Sequence, residues 1–229
     1  MNRRTYLRTL GAGAVAGATA GLAGCSSLTD ANSDVVLPEP DREFDSADVP
    51  YPAWGERVPD VSVPAPLDGG RVALREVGRP YLATFFFSHC MSVCPALVGA
   101  LRNVQAHAIG EGYANEVRFL PITFDPARDT ADRLRAYADR MNVDLDAGWS
   151  FLRPADAAAA ARVANDEFSI GFQKIPAEEV EMEDHEGYDF QHLSLVTLVN
   201  ADGYVERAYT GDVPPDATLI EDLREVRGA

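Results

Sequence analysis

At 229 residues and 46% hydrophobic content, the chain has room for one sizeable core with an appended segment, and not for several domains. Its 36 acidic residues against 20 basic ones give a formal net charge of −16, and Lys174 is its single lysine. Nucleic acid is set aside as a partner, because binding it needs a basic surface facing the phosphates. So acidic and lysine-poor a composition resembles that of proteins from salt-adapted cells, a halophilic acidic surface on which screening makes dense like charge tolerable.

Residues 1–24 read as an export leader. Arg3 and Arg4 precede a weakly apolar stretch at 10–23 built mostly of Gly and Ala, the pattern of a twin-arginine (Tat) signal. That stretch falls short of the roughly 20 predominantly apolar residues a membrane-spanning helix needs. It ends in Leu22-Ala23-Gly24-Cys25, which resembles a lipobox and implies a lipidated Cys25 that holds the chain on the outer face of the cytoplasmic membrane. Residues 25–59 are rich in Asp, Glu, Pro and Ser and read as a disordered acidic tether, leaving 60–229 as the folded domain.

Within that domain, 61–77 predicts a β-hairpin turning at Asp68-Gly69-Gly70. The apolar run 81–87 predicts a central strand buried on both faces. Leu97, Leu101, Val104 and Ala108 recur at helical spacing behind Pro95, predicting a helix over 95–109. A second buried strand is expected at 117–124, a helix capped by Asp129 or Thr130 running to 141, and another helix over 155–168. The acidic segment 177–189 reads as a surface loop. Strands at 193–200 and 204–209, turning at Ala201-Asp202-Gly203, precede a last helix over 215–226. The order is that of an α/β domain with a central mixed sheet, helices on both faces and an N-terminal β-hairpin. Ligands are expected at the carboxyl ends of its strands.

Cys90 and Cys94 fall at the end of the buried aromatic strand and on the first turn of the following helix, so both sulfurs can approach one point. The helix N-terminus favours their thiolates. With Cys25 taken by lipid they are the remaining pair, open to three readings: a structural disulfide, a redox dithiol, or half of a metal site. So short a loop gains little from a disulfide. His192 stands just before the strand at 193–200, where the entering loop can face the cysteine turn. A soft set of two Cys and one His suits copper, and zinc would also accept it.

Cys90-x-x-x-Cys94-Pro95 behind an aromatic strand, then Thr123-Phe124-Asp125-Pro126-Ala127-Arg128-Asp129-Thr130, then His192 ahead of Leu195-Val196-Thr197-Leu198-Val199-Asn200-Ala201-Asp202-Gly203, resembles the Sco/SenC family of copper metallochaperones. With its leader and composition the chain looks like a haloarchaeal-type lipoprotein of that family. The resemblance implies a thioredoxin-like fold and one copper ion, Cu(I) or Cu(II), bound by Cys90, Cys94 and His192. It also implies delivery to the copper A-bearing subunit of cytochrome c oxidase, and Asp125 and Arg128 near the metal. Some members act as thiol-disulfide oxidoreductases, for which Cys90 and Cys94 would form a redox-active disulfide. The chain departs from the family in carrying Met91-Ser92 after the first cysteine, where Pro-Asp is common, and in lacking an aspartate directly before His192. A thiol peroxidase of the same fold would need its reactive cysteine in a different motif.

Overall fold

The computed structural model describes residues 33–176 and 188–228. The leader, Cys25 and most of the acidic segment expected at 177–189 lie outside these residues. The predicted hairpin is β1 (Ser62–Ala65) paired antiparallel with β2 (Gly70–Ala73). The apolar run becomes β3 (Tyr81–Phe86), buried at every position. It leads through a loop into α1 (Cys94–Gly110), whose Leu97, Val98, Leu101, Val104 and Ala108 face the core. β4 (Arg118–Thr123) pairs parallel with β3, the crossover being α1. Thr130 caps α2 (Ala131–Met141) by accepting the Arg133 amide at 3.2 Å, and Asn142 ends it in a left-handed conformation.

Where one helix was expected over 155–168, there is a short α3 (Ala157–Ala161) that widens into a π-helical turn at Arg162–Glu167. The extra residue per turn buries Val163 and Ala164 and sets Phe168 edge-on against Phe85 of β3, with ring centroids 5.0 Å apart. Two short strands that the sequence reading missed follow, β5 (Gln173–Ile175) and β6 (Asp189–Gln191), paired antiparallel in a ribbon of their own. β7 (Leu195–Val199) and β8 (Val205–Thr210) form the C-terminal hairpin, and α4 (Asp216–Arg227) closes the domain.

The central sheet runs β4-β3-β7-β8, with β3–β7 and β7–β8 antiparallel, a mixed sheet as expected. Phe85 and Phe86 point to opposite faces, the first onto Phe168 and the second onto Tyr137 of α2 at 5.3 Å, so helical segments cover both sides. Both edges are also closed. Residues 149–152 run parallel to β4, through Phe119 N–H to Gly148 O at 2.9 Å and Leu152 N–H to Pro121 O at 2.9 Å. Gly148 is required there: its φ is +73°, and a Cβ would lie 2.7 Å from Val117 O. On the other edge, Gly55 N–H donates to Val205 O at 2.9 Å and Val205 N–H to Glu56 O at 2.8 Å.

The second of those edges corrects the expected tether. From residue 36 onward the N-terminal segment lies against β8, because Glu206, buried in the sheet, takes the Val36 amide at 2.9 Å and the Leu37 amide at 2.9 Å. Asn200 Nδ2 completes its set at 2.7 Å. Leu37, Tyr51, Ala53 and Val58 join the core, while Trp54 Nε1 donates to Leu37 O at 2.8 Å. The composition of 25–59 is that of a disordered chain, but these few apolar residues and one buried carboxylate supply the partners that fasten it. Glu206→Ala strands two backbone amides and is expected to cost about 2–4 kcal/mol in urea unfolding and to make residues 36–58 sensitive to protease.

Candidate metal centre

The loop between β3 and α1 carries both cysteines at the carboxyl end of the central strand. It is held from beneath by Asp129, fully buried, which takes the Ser88 amide at 3.1 Å on one oxygen and 3.2 Å on the other. The Ser88 and Thr123 hydroxyls also donate to this carboxylate, and burial pushes it above the usual carboxylate value against the pull of those bonds. Arg133 Nε donates to Ser88 Oγ and Arg140 Nη2 to Ser88 O, each at 3.1 Å. Burial and the nearby Arg133 and Arg128 push His89 down, so its ring is neutral at neutral pH and supplies no positive charge to the thiols beside it.

Val93, at the cap position of α1, offers no side-chain bond to the helix amides. Cys90 takes that place: the amides of Ser92 and Cys94 turn toward its sulfur, and Ser92 Oγ lies 3.3 Å from it. Both cysteines are free thiols, Cys90 6% exposed and Cys94 wholly buried. A hydrogen bond from Cys94 to Cys90, then those from Ser92, pull the Cys90 thiol down against its burial. The same bond, burial and the adjoining negative sulfur push Cys94 up. The two shifts run in opposite directions, favouring thiolate at Cys90 and thiol at Cys94.

His192 arrives from the other half of the chain on the residue after β6. Leu193 N–H donates to Ile170 O at 2.9 Å, and Phe190, Phe172 and Phe124 pack around the ribbon. The imidazole meets Phe124 edge-on, with centroids 4.8 Å apart. Its Nδ1 lies 3.0 Å from Leu193 O, a contact that assigns the proton to Nδ1 and leaves a lone pair on Nε2. Nε2 is 3.7 Å from Cys94 Sγ. A soft ion bonded to sulfur at about 2.3 Å and to nitrogen at about 2.0 Å, at a near-tetrahedral angle, sets its two donors about 3.5 Å apart, so this spacing is close to that of one bridging ion. Among the described residues no three His, Cys, Asp or Glu side chains are already closed into a metal cage. The arrangement is a pair of sulfurs with the imidazole beside the inner one.

Asp125 and Arg128, expected near the metal, pair with each other and turn toward Tyr188. The Tyr188 hydroxyl donates to Asp125 Oδ1 at 2.8 Å, and Arg128 Nη1 donates to Tyr188 O at 2.9 Å. Burial and the bond to Asp125 push the Tyr188 hydroxyl up to about 12, so it stays a donor at any physiological pH. Ser92, Ser88, Asp129 and Tyr188 are the contacts that sequence reasoning left out. Asp129 had a legible signal, being the second acid of a strand-end Asp-x-x-x-Asp-Thr run, but it read as a helix cap. Met91, 66% exposed, is a turn residue.

The family model for SCO1/SenC matches residues 69–227, which takes in the cysteine loop, the Asp125–Thr130 turn and His192. The chain belongs to the SCO1/SenC family. A curated relative from Bacillus subtilis (strain 168), an SCO1 protein homolog, is 27% identical over 159 residues, covering 69% of this chain and 76% of that protein. Among solved structures, ScoI of Bradyrhizobium japonicum with copper bound aligns with a TM-score of 0.57 at 23% identity, over 74% of this chain and 98% of that one. BsSco, described as a member of the Sco family of cytochrome c oxidase assembly proteins, aligns with the same TM-score and identity over 78% and 96%. At such identities the structures share the fold, which is the thioredoxin-like one implied by the sequence. The thiol asymmetry described above predicts that iodoacetamide modifies Cys90 alone in the native protein. Its rate should stay level as pH falls from 8.5 toward 6, where an ordinary thiol slows by about two orders of magnitude, and mass spectrometry of the labelled peptides measures both results.

Proposed function

We propose that the chain is an extracytoplasmic copper chaperone. It holds one copper ion between the Cys90 and Cys94 sulfurs and His192 Nε2, and it delivers that ion to the copper A site of a cytochrome c oxidase. The observation that carries this reading is the approach of His192 Nε2 to Cys94 Sγ at 3.7 Å, with the Nδ1 proton directed away onto Leu193 O. Two sulfurs and one imidazole make a soft donor set that suits copper in either common oxidation state. The copper-bound relative and the assembly role described for BsSco support the same reading.

Transfer then proceeds by ligand exchange. A thiolate of the recipient replaces one donor at a time, so the ion is never released to water, and each protein sulfur that leaves takes up a proton. The twin-arginine pattern and Cys25 place this work, in our reading, at the outer face of the cytoplasmic membrane, with lipid as the anchor. Among the described residues no helix is long and apolar enough to cross a membrane.

A second reading is favoured by the split between the two thiols. Cys90, as thiolate, would attack a disulfide in an apo copper protein, and Cys94 would then displace the recipient's sulfur. The products are a reduced recipient and a Cys90–Cys94 disulfide. Burial of both sulfurs weighs against fast turnover with unselected substrates.

Copper titration of the purified reduced protein, followed by mixing with a recombinant copper A subunit, tests the first reading. One equivalent is expected to bind, His192→Ala is expected to weaken binding by about 100-fold or more, and metal should appear on the recipient. Wild-type affinity in His192→Ala would overturn the three-donor site, and reduction of the recipient without copper transfer would favour the oxidoreductase.

A further inference from the structure

Tyr188 enters β6 four residues ahead of His192 and joins three parts of the molecule. Its hydroxyl reaches Asp125 Oδ1 at 2.8 Å and its carbonyl takes a bond from Arg128 Nη1 at 2.9 Å, both groups lying in the turn after β4. Its ring has Arg128 Cζ 3.7 Å from the centroid and Lys174 Nζ 3.4 Å from it. Lys174 sits on β5, so the ring is gripped by the ribbon as well as by the body of the domain.

The β5–β6 ribbon is not hydrogen-bonded into the central sheet, so the position of His192 depends on what fastens that ribbon. The imidazole is bonded through Nδ1 to the carbonyl of the next residue, which ties the ring to the backbone that carries it, and toward the body of the domain it lies edge-on to Phe124. Withdrawing Nε2 from a metal therefore displaces the segment, and Tyr188 with its charged contacts resists that displacement. We infer that Tyr188 is a positioning residue that latches the β5–β6 ribbon, and that its release is the step by which His192 leaves the ion during transfer. The inference rests on the three-donor reading above and adds to it a determinant of the release rate.

Tyr188→Phe tests it, since the variant keeps the ring between its cations and deletes the hydroxyl donor. With the copper-loaded full chain and bathocuproine disulfonate as acceptor for Cu(I), release is expected to be about tenfold faster than wild type, as losing one bond to a carboxylate implies. Adding Tyr188→Phe to His192→Ala is expected to leave the rate of the single His192→Ala variant unchanged, because the latch acts through that imidazole. A wild-type rate in Tyr188→Phe, or an equal acceleration with and without His192, overturns the latch while leaving the copper site standing. Wild-type release by His192→Ala would instead remove the three-donor reading and the latch with it. Should Tyr188→Phe fold poorly, Lys174→Met, an exposed change that takes one cation from the ring, is expected to accelerate release about threefold in the same direction, and an unchanged rate there would equally overturn the latch.

Discussion

Buried in the turn between β4 and α2, the Asp129 carboxylate draws in the Ser88 amide and hydroxyl and the Thr123 hydroxyl, and the cysteine loop takes its shape from that capture. A buried carboxylate left short of partners is costly, so the loop from Phe87 onward has one favourable path. Earlier in the same turn, Asp125 and Arg128 hold the segment that ends in His192. A single turn of eight residues thus fixes both sides of a centre whose inner cysteine and histidine are 98 positions apart in the chain. Neither acid needs to touch a metal for the site to depend on it.

The central strand, the helix behind Cys94 and the C-terminal hairpin were legible in the sequence because their apolar periodicity is strong: every residue of β3 and β7 is buried. The β5–β6 ribbon was not. It has three residues a side, leaves Gln173, Lys174 and Gln191 exposed, and contributes chiefly Phe190 to the core, a pattern no period distinguishes from loop. The N-terminal segment was misread for the opposite reason. Its composition is mostly polar, and what orders it is a few scattered apolar residues together with a carboxylate at position 206, about 170 residues away. Of the centre, motif spacing named the candidate donors, but it could not show how differently the two thiols are placed. That depends on amides aimed at Cys90 and on the burial of Cys94, both products of the folded loop.

A chain of net charge −16 places Arg133 and Arg140 directly on the cysteine loop and Arg128 beside the segment that carries the histidine. Each is fixed by hydrogen bonds in partly buried positions, where salt screens least. The arginines thus gather beside the cysteine loop of an otherwise acidic body, where Arg133 and Arg128 help to keep the His89 ring uncharged.

Capture of Val36 and Leu37 by Glu206 also shortens the leash. If lipid is carried at Cys25, only the eleven peptide units from there to the pinned residue are left to span the gap, a reach of about 40 Å at full stretch, against just over three times that for a tether running to residue 59. With that anchor, a carboxylate in the sheet, far from any cysteine, would set how high above the bilayer the domain can ride, and so which neighbours it is able to meet.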